Sequence, residues 1–402
     1  MGADRAFDRG TTDTAGNDIT IPFYGEHQAG IISDVQDRLA FSSLSVVEGT
    51  SRSQLQDLLR TWTQAANLMT RGELVGEVNE GNAPPIDTGE ALGSPVSRLT
   101  VTIGYGPSLF DDRFGLANRK PAALMDLPPL PNENLDPNFV GGDICIQACS
   151  DDPLVAFHAV RNLARLGMGI VEHNWMELGF GRTSTTSTGQ ETPRNLMGFK
   201  DGTRNIKASE TDLLDRYVWV GIESDQDWLR GGSYLVARRI RMFIENWDRD
   251  SLNDQQNVFG RFKVNGAPLS GGNEFTTPNF HSPAIASNAH IRLASHEENG
   301  GLRILRRGYS YTDGIDPIRG TLLGGLFFIA FMKNPNQFIA LQQKLGHDGC
   351  TQRIYSTYRQ RCVRLSAWTF KGRILRRSTV YVASPHLKSE CVMALLLLSL
   401  AL

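Results

Sequence analysis

Two distant stretches of the chain share one pattern: an apolar run, a short polar break that contains a proline, and an amphipathic segment. The first reads DICIQACSDDPLVAFHAVRNLARLG (residues 143–167) and the second reads GLFFIAFMKNPNQFIALQQKLG (residues 325–346). Each apolar run has the length of a buried strand, and in each amphipathic segment the apolar residues recur at helical spacing. The repeat predicts an α+β fold built from two ferredoxin-like halves, each with an antiparallel sheet and peripheral helices.

The segments between these stretches set the predicted boundaries. Residues 1–19 are polar and are expected to be disordered, residues 20–197 form the N-terminal half and residues 198–348 form the C-terminal half. The stretch from residue 121 to residue 138 is rich in proline and is expected to be a surface loop. HIRLAS (residues 290–295) and RILRRGYSY (residues 303–311) are both expected to be strands.

Composition excludes several classes of protein. The net charge is −2, so the chain has no general electrostatic affinity for nucleic acid or for an anionic membrane. No run reaches the ~18 apolar residues that a membrane-spanning helix needs. No secretory signal is visible in the polar first residues, so either the protein is cytosolic or a leader was removed or not included. The five cysteines lack the spacing of zinc sites, and the pair in CIQAC is expected to be buried on one face of a strand.

The stretch GFKDGTRNI (residues 198–206) places an aspartate, Asp201, directly before a glycine, Gly202. Asp-Gly is a common turn pair, because Asp accepts local hydrogen bonds and Gly adopts positive φ angles. The stretch alone is therefore explained by a turn, and a role for Asp201 in proton transfer needs partners elsewhere in the chain.

Candidate partners lie downstream. His290 begins the run HIRLAS, and His281 and His296 flank it as competing ligand candidates. Three histidines at these spacings do not make a compact zinc motif. In RILRRGYSY, Arg306 and Arg307 would point to opposite faces of a strand, so one can face solvent while the other enters a pocket. A buried arginine there is expected to need an anionic partner.

In this order, GFKDGTRN, AHIRLAS and ILRRGYSY resemble the dye-decolorizing peroxidase family, and in particular its exported deferrochelatase/peroxidase branch linked to bacterial iron uptake. IPFYGEHQAGI and GGDICIQACSDDPLVAFHAVRNL are also similar to this branch, so the resemblance runs from about residue 21 to about residue 348. It implies a dimeric α+β barrel that binds heme b in its C-terminal half.

The resemblance also implies the site. His290 would be the axial ligand of the heme iron, because a neutral imidazole binds iron well. Asp201 would be the acid–base group that moves a proton of hydrogen peroxide, and Arg306 would hold that carboxylate ionised and stabilise developing negative charge. Arg307 is the alternative to Arg306. The residues that are expected to contact the heme are Gly202, Thr203, Arg204, His290 and Arg306.

The resemblance leaves function and surroundings partly open. The enzyme would use hydrogen peroxide to oxidise dyes or other bulky organic donors; the alternative is a deferrochelatase that releases iron from heme for iron-uptake proteins. A binding module without heme is a third interpretation. The branch further implies a homo-oligomer in the periplasm or cell envelope, exported by the twin-arginine route. One departure is His296, which stands where the branch commonly has proline.

Residues 349–402 have a different character. GCTQRIYSTYRQRCVRLSAWTFKGRILRRSTVYV is basic and lacks the expected strand pattern, whereas the family tends to end in a strand and a Cys-Pro-Pro-Gly turn. Synonymous codons for residues 349–368, read one base later, permit a string that ends Ala-Cys-Pro-Pro. We therefore hypothesise that this tail is read out of frame and that the last strand is missing; the nucleotide sequence of the gene tests this.

Overall fold

The computed structural model describes residues 19–78, 80–131, 133, 135 and 140–348, together with the backbone strand Ser378–Ala383. The predicted disorder of residues 1–18 and most of the hypothesis on residues 349–402 lie outside the described residues. No helix within the described ranges is long and apolar enough to cross a membrane.

The N-terminal half forms a ferredoxin-like βαββαβ unit. Its elements in chain order are β1 (Arg38–Val46), α1 (Arg52–Met69), β2 (Thr100–Tyr105), β3 (Ile144–Ser150), α2 (Pro153–Leu166) and β4 (Val171–Arg182). The strands pair antiparallel in the order β2–β3–β1–β4. Ser51 caps α1 with a capping box, and Asp152 caps α2 with Pro153 in its first turn. The first copy of the repeated pattern therefore folds as predicted.

The C-terminal half repeats this topology with additional helices. Its elements are α3 (Thr211–Tyr217), β5 (Ser233–Met242), α4 (Ile244–Trp247), α5 (Leu252–Phe259), α6 (His290–Leu293), β6 (Leu305–Arg306), β7 (Tyr309–Ile315), β8 (Leu322–Met332), α7 (Asn336–Asp348) and β9 (Ser378–Ala383). β6 and β7 pair with the same edge of β8 in one register from Leu305 to Thr312, so they are two parts of a single strand. With this strand counted once, the order β9–β5–β8–β7 matches that of the N-terminal half.

The two sheets join into one closed barrel. β4 pairs with β7 at one junction and β2 pairs with β9 at the other, while β5 pairs with both β8 and β9. Interior positions pack as one buried cluster that includes Phe41, Cys149, Trp175, Tyr309 and Phe327. This is the dimeric α+β barrel that the resemblance implies. Cys145 and Cys149 are both buried free thiols in this cluster, as predicted.

The expectation that the tail lacks a final strand is wrong for one segment. Ser378–Ala383 forms β9, which occupies the fourth-strand position of the C-terminal half between β5 and β2. The physical reason is local: the segment reads STVYVA, and β-branched and aromatic residues favour extended backbone.

A second correction concerns HIRLAS. The expected strand is instead a single helical turn, α6, in which the amide of Ala294 donates to the carbonyl of His290 at 2.9 Å. Four residues that alternate apolar and polar do not distinguish a short strand from one helical turn. The turn buries Leu293 and leaves the His290 ring at the wall of a cavity.

Candidate active site

A cavity of about 300 Å³ lies in the C-terminal half, between the outer face of its sheet and α7. Apolar side chains from β5, β8 and α7 form much of its wall, and charged groups from the GFKDGTRNI loop and the segment after α6 form the rest. It is lined by Asp201, Gly202, Thr203, Arg204, His290 and Arg306, among others. The structure thus brings all six predicted site residues to one cavity.

The GFKDGTRNI loop is held in place by a close backbone approach at Gly202. Gly202 has φ +92, and a Cβ there would lie 2.7 Å from Cα of Ser184 and 3.1 Å from the amide nitrogen of Thr185. No other residue type fits this position without moving the neighbouring backbone. The turn expected from Asp-Gly is therefore present, and it serves to seat the loop against the end of β4 while Asp201 faces the cavity.

Asp201 and Arg306 form an ion pair inside the cavity. Nη1 of Arg306 donates to Oδ1 of Asp201 at 2.5 Å, and Nδ2 of Asn195 donates to Oδ2 at 3.3 Å. The Asp201 side chain is 17% exposed and that of Arg306 is 31% exposed, so both are partly screened by solvent. The anionic partner expected for a pocket arginine is thus Asp201.

Asn205 fixes the distance between the two charged residues, and the sequence reasoning missed it. Its Oδ1 accepts from the amide of Arg306 at 2.8 Å, and its Nδ2 donates to the Arg306 carbonyl at 2.9 Å and to the Thr185 carbonyl at 3.0 Å. The side-chain amide thereby binds Arg306 as a neighbouring strand residue would. In the sequence, the one feature that could have pointed to Asn205 is its position four residues after Asp201.

The Arg307 side chain lies in a different environment from the one expected. Its side chain is fully buried in the barrel interior, where Nη1 donates to the Ser33 carbonyl at 2.5 Å and Nη2 donates to Oε1 of Gln36. The expectation that one arginine of the pair faces solvent is wrong, because the second face of a closed barrel is its interior. The expected anionic partner is also wrong for Arg307, because carbonyl oxygens solvate its charge.

His290 lies on the cavity wall with one ring nitrogen buried. Among the described residues Nδ1 has no hydrogen-bond partner and it is inaccessible, so we infer that Nε2 is the ring nitrogen that can face the cavity. The ring packs edge-on against Phe259 with centroids 5.8 Å apart. Burial lowers the pKa of His290 to about 4; Asp201 opposes this shift, and Arg306 and Arg261 add to it. The imidazole is therefore neutral near neutral pH, which is the form that binds a metal.

The other two candidate histidines differ in their surroundings. The His281 side chain is exposed and does not line the cavity. His296 does line it, but both ring nitrogens have partners: Nδ1 lies 2.9 Å from Oε2 of Glu297, and Nε2 lies 3.3 Å from Nη2 of Arg204. Because Nε2 faces a cation, it is the accepting nitrogen, and the proton sits on Nδ1. Of the three, His290 is the histidine free to bind iron.

Glu274 is a second supporting residue that the sequence reasoning missed. It accepts from Nζ of Lys200 at 2.5 Å and from Oγ1 of Thr203 at 3.1 Å, so it ties both neighbours of the Asp201–Gly202 pair to one carboxylate. Burial opposes the charge on Glu274, but these hydrogen bonds keep its pKa below the ordinary value. Thr203 is therefore oriented by the protein as well as facing the cavity.

Arg261 and Arg303 also line the cavity, in addition to the predicted Arg204 and Arg306. Arg261 is buried and donates from Nη1 to the carbonyls of Gly266 and Glu274; burial, with Arg204 and Arg306, lowers its pKa to about 10. Burial and Arg204 also lower the pKa of Arg303. These shifts show that the positive charges repel one another, so this part of the cavity favours an anionic ligand.

The proline-rich loop is more than the surface loop that was expected. Pro131 lines the cavity, and Oε1 of Glu133 accepts from Nη2 of Arg238 at 2.5 Å. The Arg238 and Glu133 side chains are buried, at 3% and 7% exposure. The charged pair anchors the loop, because a buried Glu is stable only with a partner. A segment of the N-terminal half thus completes a wall of the C-terminal cavity.

These residues fit an iron tetrapyrrole, which is an apolar plane with two carboxylates at one edge and a metal at its centre. The unpartnered His290 ring suits the metal, and the wall formed by Ile240, Leu326 and Phe328 suits the plane. The arginine cluster suits the carboxylates. Small-molecule sites combine a mostly apolar wall with a few placed polar groups, as this cavity does.

Comparison with known proteins agrees with the fold. Residues 28–181 match the family description "Dyp-type peroxidase, N-terminal" and residues 192–363 match "Dyp-type peroxidase, C-terminal". A deferrochelatase of Yersinia pseudotuberculosis is 36% identical over 344 residues, which cover 83% of this chain and 78% of that protein. A deferrochelatase of Escherichia coli O157:H7 is 35% identical over 356 residues, which cover 86% and 84%.

Solved structures give the same result. DtpA from Streptomyces lividans superimposes with a TM-score of 0.82 at 33% identity, covering 96% of this chain and all of that one. A Rhodococcus jostii DypB variant in complex with heme superimposes with a TM-score of 0.61 at 19% identity and shows the shared fold alone. By sequence and by fold, the chain belongs to the Dyp-type peroxidase family and is a heme-dependent enzyme.

Proposed function

We propose that the enzyme is a heme b peroxidase in which His290 binds the iron, Asp201 moves the proton of hydrogen peroxide and Arg306 assists it. The observation that carries this assignment is the ion pair of Asp201 and Arg306 in the same cavity as the His290 ring, whose Nδ1 has no partner. When bound, heme supplies an iron centre that receives peroxide and stores its oxidising equivalents.

Asp201 performs the proton transfer. Its Oδ1 is occupied by Arg306, and its Oδ2 receives only the long bond from Asn195, so Oδ2 is the atom available to a peroxide proton. As a carboxylate it accepts a proton from one peroxide oxygen, and as a carboxylic acid it returns the proton to the departing oxygen. Both steps require peroxide within hydrogen-bond distance of Oδ2.

Arg306 contributes charge rather than a proton. Its guanidinium places a positive charge directly against Oδ1 of Asp201. The same charge stabilises negative charge that develops on the departing oxygen. Because Asn205 holds its backbone on both sides, Arg306 is placed before substrate arrives, so no reorganisation accompanies the reaction.

The substrates that donate electrons to this peroxidase are proposed to be dyes or other bulky organic molecules. A second candidate function is release of iron from heme, because relatives that share 35–36% identity over most of the chain bear the name deferrochelatase. In that reaction the tetrapyrrole in the cavity is the substrate and leaves without iron. The same residues would hold it, so the cavity is compatible with both reactions.

We further propose that the protein acts in the periplasm or cell envelope after twin-arginine export, as a homo-oligomer, together with iron-uptake proteins. Support comes from the resemblance to the exported branch and from the names of the relatives. Fractionation of the native host with antibody to the chain tests the location, and light scattering of the purified protein tests the oligomer.

The visible absorption spectrum of the purified full chain, recorded with hemin, tests the proposed function. A Soret band that changes when peroxide is added and returns with a reducing dye supports the peroxidase. Accumulation of fluorescent iron-free protoporphyrin identifies the iron-release reaction instead. Absence of any Soret band after reconstitution contradicts both and leaves a binding module without heme.

A further inference from the structure

Three side chains at the rim of the cavity form a closed set of contacts. The Arg204 guanidinium binds Glu297 at two points, Nη1 to Oε2 at 3.1 Å and Nη2 to Oε1 at 2.6 Å. His296 contacts both, with Nδ1 at 2.9 Å from Oε2 of Glu297 and Nε2 at 3.3 Å from Nη2 of Arg204. We call these three residues the rim triad.

The members of the rim triad are placed differently relative to the cavity. Arg204 and His296 line it, as does the neighbouring Arg303, whereas Glu297 is not part of the wall. The two-point contact of Arg204 with Glu297 is the geometry that an arginine uses to bind any carboxylate. The carboxylate of Glu297 therefore occupies the donor groups that a carboxylate ligand in the cavity would need.

We propose that Glu297 is an internal competitor for the carboxylates of a tetrapyrrole, and that protonation of His296 draws Glu297 away from Arg204 and frees Arg204 for the ligand. This inference rests on the proposed function, because it assigns a role to the rim of the same site. It makes His296 and Glu297 determinants of how tightly, and at which pH, the tetrapyrrole is held.

The charges around His296 set the direction of the pH effect. Burial lowers the pKa of His296, and Arg303 and Arg204 lower it further, while Glu297 acts in the opposite direction. A carboxylate ligand beside the two arginines offsets their repulsion, so binding of the ligand favours proton uptake by His296. By reciprocity, the ligand is held more tightly as the pH falls below the ordinary imidazole value of ~6.5.

Glu297 remains an anion throughout this range. Burial opposes its charge, but the hydrogen bond from Arg204, a backbone hydrogen bond and the nearby positive charge of Arg204 together outweigh burial and keep its pKa below the ordinary value. Its carboxylate is therefore always present to pair with either Arg204 or a protonated His296. Within the rim triad only His296 gains charge as the pH falls below the ordinary imidazole value, and its charge sets the balance between the contacts that Glu297 makes with Arg204 and with His296.

The test compares Glu297→Gln with Glu298→Gln in the full chain. Glu298 is the adjacent glutamate, and its nearest cation is Arg292 at 3.8 Å, so this variant is a matched control for loss of one negative charge. The measurement is the rate of hemin transfer to excess apomyoglobin at pH 7.5. Transfer from Glu297→Gln is expected to be roughly tenfold slower, the effect of one charge-assisted hydrogen bond, and transfer from Glu298→Gln unchanged.

Two further measurements isolate the carboxylate and the proton. With hemin dimethyl ester, which has no free carboxylate, Glu297→Gln is expected to transfer at the parent rate. The parent is expected to lose hemin more slowly at pH 5.5 than at pH 7.5, and His296→Gln to show no such difference. Should Glu297→Gln fail to fold, as judged by circular dichroism, the pH profile of His296→Gln decides.

Equal hemin transfer rates for Glu297→Gln and Glu298→Gln overturn the inference. It is also overturned if Glu297→Gln slows transfer of the dimethyl ester as much as it slows transfer of hemin. Binding of iron-free protoporphyrin, followed by its fluorescence, separates this inference from the proposed function. If hemin is not retained but Glu297→Gln binds protoporphyrin more tightly than the parent, the heme function fails and the rim inference stands. If neither porphyrin binds, both are wrong.

Discussion

The two copies of the strand–helix pattern, β3–α2 and β8–α7, have the same topology, but the space between helix and sheet is packed in the first and holds a cavity in the second. In the N-terminal copy, α2 lies directly on the sheet, and its inner face, which includes Val155, Ala159 and Leu163, is at most 4% exposed. In the C-terminal copy, the inner face of α7 borders the cavity through Phe338, Leu341 and Leu345.

The difference lies in what fills the space between helix and sheet. In the N-terminal half α1 supplies Trp62, which is fully buried and donates from Nε1 to the Leu163 carbonyl at 2.6 Å. In the C-terminal half, the corresponding wall carries charged groups and a histidine. The N-terminal copy is therefore packed as hydrophobic core, whereas the C-terminal copy is less tightly packed and leaves space for a cofactor.

Replacement of one histidine in each half by alanine is expected to give the largest difference between the two halves. His290→Ala is expected to abolish stable heme binding while the chain remains folded, because it removes the proposed axial ligand. His158→Ala is expected to do the reverse: Nε2 of His158 pairs at 2.9 Å with the buried Asp87, so its removal leaves that carboxylate with backbone amides as its hydrogen-bond donors and no cationic partner. Soret absorbance and thermal denaturation measure the two effects; heme loss in both variants would erase the contrast.

The second contrast concerns the charged pair of the cavity. Asp201→Asn and Arg306→Leu are expected to retain heme but to slow reaction with peroxide by about 10²–10⁴-fold, the usual contribution of acid–base or electrostatic groups. Stopped-flow absorbance measures the rate. As a control, Arg98→Leu removes an arginine that pairs with Asp151 in the N-terminal half, and it is expected to react at the parent rate.

The third contrast measures packing in apoprotein. Leu163→Ala in α2 is expected to lower the free energy of unfolding by about 2–5 kcal/mol, because the surrounding core cannot close the space. Leu341→Ala in α7 is expected to cost less than about 2 kcal/mol, because that side chain already borders a cavity. Urea denaturation monitored by fluorescence gives both values, and equal losses would show that the cavity is closed in solution.

The fourth contrast uses two buried asparagines. Asn205→Ala and Asn162→Ala each remove a side-chain amide with several hydrogen bonds, and each is expected to lower the free energy of unfolding by about 1–3 kcal/mol. Only Asn205→Ala is expected to slow the peroxide reaction and to shift its pH profile, because only Asn205 positions Arg306. A normal profile in Asn205→Ala would limit that residue to stability.

The smallest effect is the pH dependence of the apoprotein. The pKa of His290 is about 4 in the fold, below the ~6.5 of an unfolded chain, so between these values the unfolded state binds more protons. The free energy of unfolding is therefore expected to fall as pH falls from ~6.5 to about 4. Denaturation of apoprotein across this window should show a shallower slope in His290→Gln; an identical slope would place the imidazole in water.

Much of this architecture could be predicted from the sequence. The repeated pattern is long and strongly periodic, so it identified β3, α2, β8 and α7, and the family resemblance carried by three short motifs identified the residues around the cavity. The nature of HIRLAS was not predictable, since four residues carry too little periodicity to separate a helical turn from a strand.

Three other features depend on contacts between residues far apart in the chain: the burial of Arg307, the supporting roles of Asn205 and Glu274, and the pairing of β9. A single strand has two faces, so one of Arg306 and Arg307 is expected to face solvent, whereas closure of the barrel turns the Arg307 face into an interior. Asn205 and Glu274 gain their roles only from partners about 100 and 70 residues away. β9 was missed because its flanking sequence is atypical of strands.

The position of β9 has a consequence for biosynthesis. It is the last described strand and lies between β5 and β2, so the ring cannot close until residues 378–383 have been synthesised. Until then β2 and β5 have unpaired edges, and an edge of this kind can pair with another chain. Translation that stops short of residue 378 therefore produces an open barrel prone to aggregation.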